Sequence, residues 1–144
     1  MDVVGLLPKE FLEVPYNGAM IPGRQPDLGL TLGANCQRFA YAVLEHFDLL
    51  VDPFRSSDLW EDTTMTTIVA EPQPLDLVLV ASGRDACGAH VGVCVGGEEV
   101  LHLCAEVGVP TVWSLADFAE RHRYRTLLGF KHVSRQRAGG VNMC

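Results

Sequence analysis

HVGVCVGGEEVLHLC, residues 90–104, decides the fold of this chain. Apolar residues recur at every second position on either side of Gly96-Gly97, a dipeptide suited to a tight hairpin turn. Two strands follow, 90–95 and 99–104. Side chains alternate across a strand, so His90, Gly92 and Cys94 share one face, as do Val100, His102 and Cys104. With a tight turn between them, the two histidines point to the same side of the sheet.

Working outward, LDLVLVA at 75–81 reads as a strand preceded by Pro72 and Pro74, and further strands are expected at 110–113 and 126–133. Ser114 with Asp117 has the spacing of a capping box for a helix near 115–122. Ser57 suits the cap of a short helical turn through Trp60. Upstream lies GANCQRFAYAVL at 33–44, where Cys36, Phe39, Ala40, Val43, Leu44 and Phe47 recur at helical spacing. Asn35 is a good N-cap, which predicts a helix over about 35–47 with Cys36 in its first turn. Residues 15–35, rich in Gly and Pro, read as an irregular approach to that helix. Helix first, then an antiparallel meander: the class is α+β. One domain is expected over residues 1–144, with 1–13 and 134–144 peripheral.

The composition narrows the function classes. The chain has 144 residues, 48% hydrophobic and 20% charged, an ordinary globular balance. A net charge of −7 argues against nucleic acid or an anionic membrane as the main partner. No apolar run approaches the roughly 20 residues of a membrane span. The start, MDVVGLLPKEFLEV, lacks the basic region of a signal peptide. Five cysteines, an odd number without a CxxC pair, fit free thiols better than a disulfide framework, and a cytoplasmic location is expected.

Cys36, His90 and His102 form the parts list of a cysteine hydrolase. In the first turn of a helix, backbone amides and the dipole favour a thiolate, and a nearby imidazolium favours it further. His90 serves as base and then as acid to the leaving amine, while His102 orients His90 as the third member of a triad. The Cys36 amide is placed to contribute to an oxyanion hole. Neither a metal nor a cofactor is called for: Cys36, His90, His102 and Cys104 follow no standard zinc spacing. The basic run Arg121–Arg125 reads as a solvated helix end.

From about residue 14 to 133 the chain resembles the NlpC-type papain-like cysteine peptidases, which cleave peptide stems of the bacterial cell wall. The resemblance rests on Pro15-Tyr16 ahead of the nucleophile, Cys36 opening an apolar helix and Leu75-Asp76-Leu77 leading a strand. His90-Val91-Gly92-Val93 then carries the histidine, and His102 is the polar residue on the next strand. It implies a helix bearing the nucleophile packed on an antiparallel sheet. It also implies catalytic roles for Cys36, His90 and His102, with Tyr16, Asn35 and Gln37 around the substrate. Where the family reads Asp-Cys-Ser-Gly, this chain has Asn35-Cys36-Gln37-Arg38, which removes a charged partner for a substrate amine. Leu75 stands where the family has Gly. The activity implied is cleavage of an amide in a small or wall-derived peptide through a thioester, with no cofactor. A rival is an acyltransferase resembling the lecithin retinol acyltransferase branch, which shares the Asn-Cys pair but places its histidine before its cysteine. Another is a non-catalytic binding or assembly protein, such as a phage-tail component, on the same fold.

Overall fold

The computed structural model describes residues 1–23, 30 and 32–134. The elements run α1 (Val3–Leu6), a 3-10 turn (Lys9–Glu13), α2 (Cys36–His46), α3 (Ser56–Glu61), β1 (Thr66–Val69), β2 (Leu77–Ala81), β3 (His90–Gly96), β4 (Glu99–His102), β5 (Thr111–Ser114), α4 (Leu115–Ala119), a second 3-10 turn (His122–Tyr124) and β6 (Thr126–Val133). The strands form one six-stranded sheet in the order β1-β6-β2-β3-β4-β5, every neighbouring pair antiparallel.

The expected hairpin is present, with Gly96 (φ 119°) and Gly97 (φ 59°) supplying the left-handed turn. The meander is incomplete. After β5 the chain crosses back, and β6 enters between β1 and β2. Strand β1 was not foreseen. Its start is organised by Asp62, whose Oδ2 accepts from the Met65 and Thr66 amides at 3.0 and 2.8 Å. Helix α3 also begins differently from expectation. Arg55 holds the cap position without a side-chain cap bond, and Ser57 lies inside the helix. Its last carbonyls are held by buried Lys131 of β6, whose Nζ donates to Trp60 O at 3.0 Å and Asp62 O at 2.6 Å. The capping box of α4 is formed as read, although that helix ends at Ala119.

The two sheet faces bury different cores. Toward α2 lie Leu77, Leu79, Val91, Val93, Leu101 and Leu103, packed against Phe39, Ala40, Val43 and Leu44. Each such side chain contributes about 1.5–3 kcal/mol on burial, and together they fix where α2 begins. Val3 and Leu7 join this core, so the first residues, expected at the periphery, are part of it. The opposite face gathers Val78, Cys94, Trp113, Phe118, Tyr124 and Phe130. Ser134 is tied to Met65 O through its amide at 3.1 Å. The rest of the expected C-terminal tail, Cys144 included, lies outside the described residues, as does part of the Gly/Pro-rich segment.

Candidate active site

Asn35 caps α2 as its side-chain oxygen accepts from the Arg38 amide at 2.8 Å. That bond satisfies one orphan donor of the first turn and leaves the Cys36 and Gln37 amides directed at the Cys36 thiol. A third amide reaches the sulfur from Val91, the residue after His90. The nucleophile candidate is therefore docked against β3 beside the candidate base.

His90 opens β3, and its Nε2 lies 2.9 Å from Nδ1 of His102 at the end of β4. The pairing Val93↔Leu101, continued by one residue, puts His102 opposite Gly92, with His90 on the diagonal. A Cβ on Gly92 would come within 2.4 Å of Val100 Cγ1 and 3.3 Å of His102 Cβ. The absent side chain lets the two rings meet. They are enclosed by aromatics. His90 lies 4.7 Å from the Tyr124 ring, while His102 lies 4.4 Å from Trp113 and 4.6 Å from Phe118 between centroids. His102 is buried, and its Nε2 has no hydrogen-bond partner among the described residues.

This enclosure sets the resting charges. Burial, helped by the Arg123 guanidinium, pulls His90 down to about 3. Burial, then His90 and Arg121, take His102 down to about 2. Burial likewise pushes the Cys36 thiol up, against the pull of the three amides and of Arg55. The direction is opposite to the thiolate expected from the helix position. Desolvation outweighs the helix start here, so thiol and imidazole rest neutral.

A cleft of about 580 Å³ joins these groups, and Tyr16, Asn35, Cys36, Gln37 and His90 all line it. Tyr16 is held by its backbone N–H, which donates to Gly108 O at 2.9 Å, and by a bridge to Ala34. Burial, then the neighbouring Cys36, push its hydroxyl up. Gln37 is buried, and its Oε1 accepts from Arg55 Nε at 3.1 Å. The sequence reading missed Arg55 and Arg123, which line the same cleft. Of the basic run, Arg121 does serve a helix end, donating to Asp117 O at 2.8 Å and lying 3.8 Å over the Trp113 ring. Arg123 does not, and no local pattern separates the two.

The architecture is that of a papain-like α+β protein of NlpC/P60 type. The chain is similar to an NlpC/P60 family protein from Bacillus cereus, with a TM-score of 0.64 and 16% identity over 92% of this chain and 39% of that one. It therefore spans well under half the length of that protein. It is also similar to the NlpC/P60 domain of the peptidoglycan hydrolase SagA, at 0.57 and 20% over 93% and 97% of the two chains. A third likeness is to the peptidoglycan hydrolase RipB from Mycobacterium tuberculosis, at 0.54 and 16% over 94% and 73%. No family model matches the chain, and no curated protein matches it by sequence. At these identities the likeness establishes the fold, and the chemistry rests on the site.

Proposed function

We propose that this protein is a cysteine amidase or peptidase acting on a small peptide derived from the bacterial cell wall. One observation carries the reading: Cys36 opens α2 against the Val91 amide, while the adjacent His90 is hydrogen-bonded to His102 at 2.9 Å. With Nε2 of His90 engaged, Nδ1 is the nitrogen left for the thiol. In the active tautomer His90 Nε2–H donates to His102 Nδ1, and the His102 Nε2–H rests against the rings of Trp113 and Phe118.

As Cys36 Sγ attacks the amide carbon, its proton passes to His90 Nδ1 and the carbonyl oxygen takes the negative charge. The first-turn amides of α2 lower the energy of that charge. Collapse breaks the C–N bond, His90 returns the proton to the departing amine, and a thioester remains. Water, deprotonated by His90, then releases the acid. Because Cys36 and His90 start neutral, proton transfer and attack are coupled. Tyr16, Asn35 and Gln37 shape the substrate cleft, with no metal or cofactor. The cleft is lined by Arg55, Ser82, Arg84 and Asp85 rather than by an apolar channel, which favours hydrolysis over acyl transfer from a lipid. The free Cys36, Cys87, Cys94 and Cys104 support a cytoplasmic site of action as part of this proposal.

The test is release of a new amine from peptidoglycan stem peptides. Cys36→Ala is expected to retain its circular dichroism spectrum and lose turnover by about 10³-fold or more. Turnover at the wild-type rate in that variant overturns the mechanism. A wild-type protein inert toward these peptides supports the non-catalytic binding reading instead.

A further inference from the structure

Two neighbouring imidazoles raise a question that a histidine paired with a side-chain amide would not: which of them carries the proton taken from Cys36. His90 Nε2 and His102 Nδ1 lie 2.9 Å apart, and the two side chains have the same intrinsic basicity. If the Nε2 proton of a charged His90 crossed to His102, the positive charge would go with it. His90 would then keep only a neutral Nδ1–H, a far weaker acid than an imidazolium. The departing amine would have no good proton donor.

The rings around His102 would by themselves invite that crossing. Trp113 and Phe118 lie 4.4 and 4.6 Å from it between centroids, both tilted against the imidazole, and aromatic faces attract a cation. Tyr124, in the same buried group, is pushed up to about 12, chiefly by burial, so it stays neutral and supplies no charge of its own. Arg121 changes the balance. Its guanidinium carbon lies 3.8 Å over the Trp113 ring. Two bonds hold it there, from Nε to Glu106 Oε2 at 3.0 Å and from Nη1 to Asp117 O at 2.8 Å. A ring already in contact with one cation offers little to a second, because the two charges repel. Glu106 is half exposed, so water screens its carboxylate. Arg121 accordingly acts with burial and with His90 to disfavour a charge on His102. His90 differs in bordering the cleft beside Cys36. There the negative charge of the reacting thiol offsets an imidazolium, against the opposing pull of Arg123 from the second 3-10 turn.

We propose that Arg121, clamped over Trp113, is a positioning residue that keeps His102 neutral, so that the proton from Cys36 stays on His90 until the amine departs. This rests on Cys36 and His90 reacting as set out above. A neutral His102 then has one useful arrangement. Its Nδ1 accepts from His90, and its Nε2–H, which has no hydrogen-bond partner among the described residues, faces the rings.

The test replaces Arg121 by Gln, which removes the charge, and by Lys, which restores it. The first readout needs no turnover: the nitrogen chemical shifts of both imidazoles are followed in the isotopically labelled full chain. Between about pH 7 and 4, Arg121→Gln is expected to raise the protonated fraction of the pair at the acid end about tenfold. The added proton settles on His102, and Arg121→Lys returns the fraction toward the wild-type value. The second readout compares leaving groups. Amine release from stem peptides needs an acid, whereas release of p-nitrophenol from p-nitrophenyl acetate hardly does. The ratio of the two rates is expected to fall about fivefold in Arg121→Gln. An unchanged protonated fraction, or an added proton resting on His90, overturns the proposal. So does an equal loss on both substrates, the result a packing role would give. If the wild-type protein releases no amine from the peptides, the hydrolase reading fails on its own, and the imidazole shifts still uphold or overturn the placement of the proton.

Discussion

Strands β3 and β4 present two unlike faces from one stretch of sequence. Val91, Val93 and Leu101 face α2 and bury aliphatic surface. His90, Gly92 and His102, one residue out of step, face the aromatic group of Trp113, Phe118 and Tyr124. The first face positions Cys36 by fixing where α2 starts. The second holds the imidazoles dry and close together. Stability and chemistry are thus divided between alternate residues of the same strands, and substitutions on the two faces should be separable.

The widest separation is expected at the imidazoles. His90→Ala should lower kcat/KM by about 10³-fold and His102→Ala by about 10²-fold, since proton transfer is worth more than orientation. Neither should cost much stability, because each removes a group that is buried against its preference for water. Steady-state kinetics beside denaturant titration reads both. Greater loss of activity in His102→Ala than in His90→Ala would exchange their roles. A collapse of stability in either would break the division of the faces.

The aliphatic face should answer in the opposite way. Leu79 is fully buried within it, and Leu79→Ala should lower stability by about 3 kcal/mol through lost transfer energy and a cavity. Cys36 alkylation, measured well below the melting temperature, should stay within about twofold of wild type. A tenfold loss of reactivity would show that the aliphatic packing tunes the thiol as well as holding it.

The different legibility of the faces follows from the same division. Alternation in 90–104 exposed both histidines, their shared face and the hairpin, because period-two patterning carries side-chain direction. Cys36 was readable because Asn35 is a strong cap at the start of an apolar helical stripe. Two things were not readable. The place of β6 between β1 and β2 depends on pairing between residues far apart in sequence, from Ala81 with Thr126 to Thr66 with Val133, and is fixed by contacts such as Lys131 with the end of α3. The sign of the thiol shift depends on how much water α2 and β3 exclude, which no local pattern records.

Acid isolates the titratable face. Both imidazoles titrate far below the usual histidine value in the fold, so the unfolded chain binds protons first as pH drops. Their contribution is complete above pH ~6.5 and declines below it, by about 1.4 kcal/mol per pH unit for each imidazole. Between pH 6.5 and 5.5, above the range where carboxylates dominate, unfolding titrations should show up to about twice that slope. His90→Gln with His102→Gln should flatten it. An unchanged slope in the double variant would place the proton uptake elsewhere.

The smallest effect concerns the cost of reaching the aliphatic face. Leu75 lies at φ 78°, a left-handed conformation, and is nonetheless 8% exposed within that core. Its amide donates to Cys94 O at 2.8 Å, so the turn leading to β2 is held by the hairpin strand and cannot relax freely. Leu75→Gly removes about 1–2 kcal/mol of backbone strain and forfeits about 1.5–3 kcal/mol of burial. Glycine also loses more chain entropy on folding. The balance is a net destabilisation of about 1 kcal/mol, measurable as a shift in the denaturant midpoint with an unchanged slope. Were the variant more stable than wild type, the leucine would contribute less to its core than its backbone costs. The aliphatic face would then be set by the strands alone, with the turn carried along.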